Sequence, residues 1–280
     1  MVVGMNIEMK NGMFKYGTGK TIFKNLNFNV NNGEILSILG PNGTGKTTLL
    51  KCLLGIHQIS GGSVYINGLV QDKEKKNCHI GYVPQIHQSV FQYTVLEMVL
   101  MGRTRFIRRF SSPSHDDWNC ARESLEKVGM AGFADRIFSD LSGGEKQMVL
   151  IARALASQAD CIIFDEPTSA LDYRNQYHVL DLMISLKREE NLAIIMTTHQ
   201  PEHAMYLSDK ALLMDRDGNS CFGESDKVLS ENNLNATYGM NIGIFSIPHN
   251  NAHLKAIIPL VSNPLHRSLS GNNSGNEVAS

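Results

Sequence analysis

Apolar and polar residues alternate with period two near the start of the chain, as in Asn6-Ile7-Glu8-Met9 and Leu26-Asn27-Phe28-Asn29-Val30. Successive side chains of a strand point to opposite faces, so this spacing, punctuated by Gly and Asn over residues 5 to 39, predicts antiparallel strands. Val64-Tyr65-Ile66 and Leu69-Val70 flank Asn67-Gly68, a pair that accepts the positive φ of a tight turn and predicts a hairpin. Glu34 to Leu39 predicts a strand that leads straight into a glycine-rich loop. The pattern changes over residues 86 to 140, which read as mostly helical. Thr94 predicts a helix start there, with Glu97 completing a capping box ahead of Met98-Val99-Leu100-Met101. From residue 147 onward continuous apolar runs, Cys161-Ile162-Ile163-Phe164 and Leu192-Ala193-Ile194-Ile195-Met196, alternate with helical stretches. Strands with no polar face belong in a parallel sheet covered on both sides.

The glycine-rich loop carries the first chemistry. Gly40-Pro41-Asn42-Gly43-Thr44-Gly45-Lys46-Thr47 matches G-x-x-x-x-G-K-[ST], with a predicted strand before it and a predicted helix, Thr48 to Leu54, after it. Glycines let successive backbone N–H groups turn inward around phosphate oxygens, and the following helix adds its positive N-terminal end. Lys46 is placed to reach the β and γ phosphates, and the Thr47 hydroxyl to ligate Mg²⁺. A nucleoside triphosphate is the expected ligand. The run Cys161 to Asp165 is a buried strand ending in a carboxylate, followed at once by Glu166. Beside a phosphate loop, such an Asp165 supplies a Mg²⁺ contact, and Glu166 is placed to polarise an attacking water. Leu141-Ser142-Gly143-Gly144-Glu145-Lys146-Gln147 precedes a helix. Ser142 is a good N-cap, and the two glycines leave amides exposed at a second anion-binding helix start.

Composition narrows the class. Lys plus Arg number 26 against 27 Asp plus Glu, a net charge of −1, without the basic excess of a dedicated nucleic-acid binder. No apolar run approaches the roughly 18 to 20 residues of a membrane span. The first residues lack the basic start and long apolar stretch of a secretory signal. Cys52, Cys78, Cys120, Cys161 and Cys221 show no CxxC pair, which fits reduced thiols. The expectation is a soluble intracellular protein.

With the phosphate loop and the acidic strand end in hand, Leu141 to Gln147 resembles the signature of ATP-binding cassette (ABC) proteins, and further motifs follow in that family's order. Gln85, in Gly81-Tyr82-Val83-Pro84-Gln85, resembles the Q-loop. Ser169-Ala170-Leu171-Asp172 resembles the D-loop, and His199, in Thr197-Thr198-His199, resembles the switch histidine. Tyr16, in Phe14-Lys15-Tyr16-Gly17, stands in the place of the adenine-stacking aromatic. The signature reads Glu145 where Gln is commonest. The similarity covers residues 5 to 245.

The resemblance implies an α/β fold: a P-loop NTPase (RecA-like) core with an N-terminal antiparallel β-subdomain and a helical subdomain inserted at about 86 to 155. The cassette then spans residues 1 to 245, and residues 246 to 280 form a short C-terminal extension whose final dozen residues read as disordered. It also implies ATP sandwiched between two cassettes packed head to tail. The pocket is lined by Tyr16, the loop residues from Gly40 to Thr47, and Thr48. Ser142, Gly143, Gly144 and Glu145 act in trans from a second copy or a similar cassette, and Asp172 lies at the interface. Lys46, Glu166 and His199 are the expected catalytic residues, with Mg²⁺ on Thr47, Gln85 and Asp165.

A cassette without spans implies separate transmembrane permease subunits, a substrate-binding protein beyond them, no nucleic acid, and a peripheral place on the cytoplasmic face of the cell (inner) membrane. Phe91 to Arg103 and Asp165 to Gln176 resemble importers of metal chelates. Iron–siderophore uptake is the first expectation, with molybdate, tungstate or another chelate next, and an exporter or cell-division cassette lower. Arg103, Arg105, Arg108 and Arg109 form a basic cluster, either solvated surface or a permease or headgroup contact.

Overall fold

The computed structural model describes residues 5–71, 80–85, 92–249 and 252–260. Strands β1 (Asn6–Lys15) and β2 (Thr21–Asn31) pair antiparallel, with every second residue buried where the alternation is cleanest. The next strand, β3 (Ile35–Leu39), is buried at all five positions. It leaves the antiparallel set and runs parallel between two later strands, so the antiparallel expectation for residues 5 to 39 holds only as far as Asn31. The reason is in the residues: Ile35, Leu36, Ile38 and Leu39 offer no polar face, and only a position covered on both sides satisfies them.

Helix α1 (Lys46–Leu53) follows the loop after β3, two residues ahead of its expected start. Strands β4 (Gly61–Ile66) and β5 (Leu69–Val70) turn about Asn67 and Gly68, whose φ values of 53° and 75° suit a tight hairpin. Then come β6 (Ile80–Val83), α2 (Val95–Leu100), α3 (His115–Lys127), α4 (Gly143–Ala156), β7 (Cys161–Asp165), α5 (Tyr173–Glu189), β8 (Ala193–Thr198), α6 (Pro201–Leu207), β9 (Lys210–Met214) and β10 (Ser220–Glu224). The Thr94 side chain accepts the Glu97 amide and the Glu97 carboxylate returns a bond to the Thr94 amide, the expected box at the start of α2. Helices α7 (Ser225–Val228) and α8 (Glu231–Tyr238) lead to the hairpin β11 (Ile242–His249) and β12 (Ala252–Pro259). Residue 245 falls inside β11, and the final dozen residues lie outside the described ones, as does Phe91.

The strands form a four-stranded antiparallel sheet, β2-β1-β4-β5, and a six-stranded sheet, β10-β9-β3-β8-β7-β6, parallel except at its β10 edge. One face of the larger sheet shares a core with α1 and the smaller sheet: Leu36, Ile38, Ile163 and Ile195 meet Ile7, Phe23, Leu26 and Leu49. The other face, through Ile35, Phe164, Ile194 and Met196, packs on α4 and α5 by way of Val149, Ile151, Val179 and Met183. Each such side chain contributes roughly 1.5–3 kcal/mol on burial, so the neighbour order of the strands is fixed by both faces together. That order sets the C-terminal ends of β3, β6, β7 and β8 side by side.

Candidate nucleotide site

The loop from Gly40 to Gly45 joins β3 to α1 and owes its path to glycine. Gly45 is the N-cap of α1 at φ 97°, and a Cβ there would lie 2.3 Å from the Ile22 side chain. Gly40 has φ 150°, and its Cβ would lie 2.2 Å from the Met214 carbonyl oxygen. No side chain caps α1 and no acid occupies its first turn, so its leading amides and positive end face the loop. Lys46 is buried, its Nζ donating to the carbonyls of Gly40 at 2.7 Å and Pro41 at 3.3 Å. Burial lowers its ammonium's pKa, and the charges of Glu166 and Asp165 partly oppose that shift. Thr47 is exposed in the same turn, next to Thr48, while Asn42 and Gly43 form the exposed rim. The buried Thr44 closes the loop by donating to the Pro41 carbonyl at 3.1 Å.

Asp165 ends β7 and is held from both neighbouring strands. Thr197 of β8 donates to its Oδ1 at 2.8 Å, and Tyr82 of β6 donates to its Oδ2 at 3.3 Å. Burial first, then the Asp165 charge, push the Tyr82 phenol up to about 12, so it remains a donor. Sequence reasoning missed Tyr82 and Thr197 as site residues. The available signal was a hydroxyl near the end of each strand flanking an apolar strand that ends in Asp.

Glu166, one residue on, adopts a left-handed backbone at φ 47°, a conformation that costs a non-glycine residue about 1–3 kcal/mol and clusters at functional sites. Its amide donates to Thr197 Oγ1 at 3.0 Å. Its carboxylate lies 3.6 Å from His199 Nδ1 and 4.0 Å from Lys46 Nζ. Gln85 Nε2 donates to Ser169 Oγ at 3.1 Å, which in turn donates to the Glu166 carbonyl at 3.1 Å. Lys46, Asp165, Glu166, Gln85 and His199, drawn from four stretches of sequence, are thus brought together at one end of the sheet. Ligands of open parallel sheets bind at such strand ends.

Tyr16 is half exposed beside α1, its hydroxyl 3.3 Å from Thr48 Oγ1 and 3.5 Å from His57 Nε2. Its ring meets the rings of Phe14 and His57 edge-on, at centroid distances of 4.8 and 5.6 Å. His57, from the loop after α1, is a neighbour that nothing local in the sequence announces.

Ser142 caps α4 in a full box: its hydroxyl donates to Glu145 Oε2 at 2.7 Å and its amide to the same oxygen at 2.8 Å. The Ser142 hydroxyl and amide hold the Glu145 carboxyl below its usual range. Glutamate at this position therefore has a local structural role. A Cβ on Gly144 would lie 3.0 Å from the Asn175 side chain, and Asp172, the N-cap of α5, grips Asn175 at its amide and at Nδ2, each at 2.9 Å. Among the described residues, the recorded hydrogen bonds and ion pairs of Lys46, Asp165, Glu166 and His199 reach no residue of α4.

The basic cluster is corrected in part. Arg103 is buried, bonded to Asp117 at 3.0 Å, to the Ala156 carbonyl at 3.0 Å and to Gln158 at 2.9 Å, with its guanidinium over the Phe106 ring. It is an internal strut of the helical region, because Asp117 and two other oxygen acceptors converge where α3 meets the end of α4. Arg105, Arg108 and Arg109 stay exposed, Arg105 while donating to the Gln158 carbonyl at 3.1 Å.

The model of the ABC transporter family matches residues 23–169. A molybdate import ATP-binding protein of Haemophilus influenzae is 41% identical over 232 residues, covering 83% of this chain and 87% of its own. A protein assigned to iron chelatin transport in Helicobacter pylori is 33% identical over 255 residues, covering 84% and 93%. A solved transporter assigned to the metal-chelate type, in an inward-facing conformation, superposes with a TM-score of 0.84 at 38% identity over 92% of this chain and 98% of its own. A solved ATP-binding cassette 28% identical to this chain is dimeric, and one 26% identical is part of an ABC transporter complex. Among the described residues no helix is long and apolar enough to cross a membrane. With the family model matching residues 23–169 and a relative 41% identical over 83% of the chain, the chain belongs to the ABC transporter family, as an ATPase cassette.

Proposed function

We propose that this chain is the ATP-hydrolysing subunit of an importer for a metal-containing anion or chelate, with a molybdate-class oxyanion as the first cargo. The observation that carries the ATPase reading is the separation of its two phosphate-binding elements. Lys46, Glu166 and His199 face one another at the C-terminal ends of the central strands, while among the described residues the Ser142 box makes no hydrogen bond or ion pair with them and packs on α5. One chain supplies two halves of different sites, so a second cassette completes each. In that dimer the amides of Gly43 to Lys46 cradle the phosphates, with Lys46 on the β and γ groups. The hydroxyl of Ser142 and the amides of Gly143 and Gly144 approach the γ-phosphate from the partner, where charge spreads in the transition state. Glu166 orients the attacking water and takes its proton, and His199 holds the γ-phosphate in line with it. Tyr16 offers its ring to the adenine, and Asp172 lies at the seam between cassettes.

The donors present suit Mg²⁺. The Thr47 hydroxyl, the Gln85 amide oxygen left over when its nitrogen serves Ser169, and the Asp165 carboxylate are hard oxygen donors, and a carboxylate bonded to Thr197 and Tyr82 keeps lone pairs in reserve. The ion offsets negative charge on the phosphates.

Cargo follows from the relatives. The 41% identity to a molybdate importer subunit exceeds the 33% to an iron chelatin one, which turns the first expectation from iron chelate to molybdate and keeps iron chelate as the second reading. The cassette sits against permease subunits at the cytoplasmic face of the membrane and is fed indirectly by a substrate-binding protein. Vesicles holding cassette, permease and binding protein test the cargo: molybdate is expected to stimulate ATP hydrolysis and ferric siderophore not to. Stimulation by the siderophore alone would install the second reading. Failure of either to stimulate an active ATPase would remove both.

A further inference from the structure

Helix α8 lies far along the chain from the phosphate loop and outside the segment matched to the family, yet its last residue reaches the nucleotide site. Tyr238 is half-buried in the cluster formed by Leu39, Ala204, Leu213 and Leu234, and Gly239 ends the helix directly after it at φ 68°. The Tyr238 hydroxyl donates to the backbone carbonyl of His199 at 3.3 Å. Burial keeps the phenol protonated and so a donor. The position is specific. Strands β3 and β8 run in parallel register up to Leu39 opposite Thr198. Gly40 and His199 are the next residues on each strand, where one chain bends into the phosphate loop and the other leaves toward α6. The Tyr238 hydroxyl therefore anchors the backbone at His199 just where the ladder ends.

We propose that Tyr238 is a positioning residue of the ATPase, holding the backbone at His199 in place beside the phosphate loop through the bond its hydroxyl donates to the His199 carbonyl. This rests on the proposed action of His199 on the γ-phosphate. A ring that only fills the core predicts no role for the oxygen, and Tyr238→Phe removes the oxygen alone. Losing one such bond is expected to lower kcat by about three- to tenfold. KM for ATP and the affinity for ADP, which has no γ-phosphate, are expected to stay within about twofold.

The decisive measurement is the cycle with His199→Ala, read as single-turnover hydrolysis. Tyr238→Phe is expected to slow the native cassette and to add nothing in the His199→Ala background. A multiplicative loss in both backgrounds would overturn the proposal, as would full activity of Tyr238→Phe beside an inactive His199→Ala. Full activity of His199→Ala would instead remove the His199 reading on which the proposal stands. Where hydrolysis in the double variant is too slow to read, the carbonyl ¹³C chemical shift of His199 decides. It is expected to move in Tyr238→Phe, which removes the donor, and an unchanged shift would overturn the proposal.

Discussion

The hydroxyl of Thr197 donates to Asp165 Oδ1 at 2.8 Å and receives the Glu166 amide at 3.0 Å, so one fully buried oxygen positions two successive carboxylate residues. Thr197→Val keeps the shape and leaves both partners short of a bond. Such a loss costs about 1–3 kcal/mol. The variant is expected to unfold at lower denaturant and to hydrolyse ATP more slowly, as measured by urea titration and phosphate release. Unchanged values of both would remove Thr197 from the site.

Glu166→Gln keeps the size of the side chain and removes the base. ATP binding is expected to persist while turnover falls by about 10²–10⁴-fold, leaving a nucleotide-locked dimer that elutes at twice the monomer mass only when ATP is present. Normal turnover in this variant would reassign the base.

Lys46→Ala removes the buried ammonium from the loop. A charge-assisted bond is worth about 1.5–3 kcal/mol, so ATP affinity measured by calorimetry is expected to fall by about 10- to 100-fold. The fold is expected to survive, because among the described residues the Lys46 side chain bonds only the carbonyls of its own loop and stands 4.0 Å from Glu166.

Gly144→Ala sets a methyl 3.0 Å from Asn175, which Asp172 holds in place. The gain in helix propensity, about 1 kcal/mol, offsets part of the strain, so the loss is expected in ATP turnover more than in stability. Adding Asn175→Ala opens the space and is expected to recover part of the turnover. No recovery would mean that the methyl acts on the partner cassette instead.

Ser114 first, through its hydroxyl and amide, and then Arg103 hold the Asp117 carboxyl below its ordinary range. A carboxyl lowered in the folded state contributes stability above its unfolded value, about 3.9, and loses it as pH falls through the folded value. Arg103→Met raises the folded value toward the unfolded one. It is therefore expected to be less stable than the native chain at pH 7, with the difference shrinking below about pH 4. A difference independent of pH in urea titrations would mean that Arg103 acts through its bonds to Ala156 and Gln158 and its packing on Phe106, and not through Asp117.

The sequence by itself determined the phosphate loop, the acidic strand end and the capped helix starts at Thr94 and Ser142. Each is written in a handful of adjacent residues, because positive φ demands glycine and a helix's first amides demand a nearby oxygen. It also fixed the hairpin at Asn67-Gly68 for the same local reason. Only the tertiary structure decided that β3 leaves its antiparallel neighbours, that Tyr82 and Thr197 flank Asp165, that Arg103 turns inward to Asp117, and that Tyr238 meets the backbone of His199. Those contacts join residues 14 to 159 positions apart in the chain, and strand order is set by burying both faces of the sheet at once, a condition that no local spacing encodes.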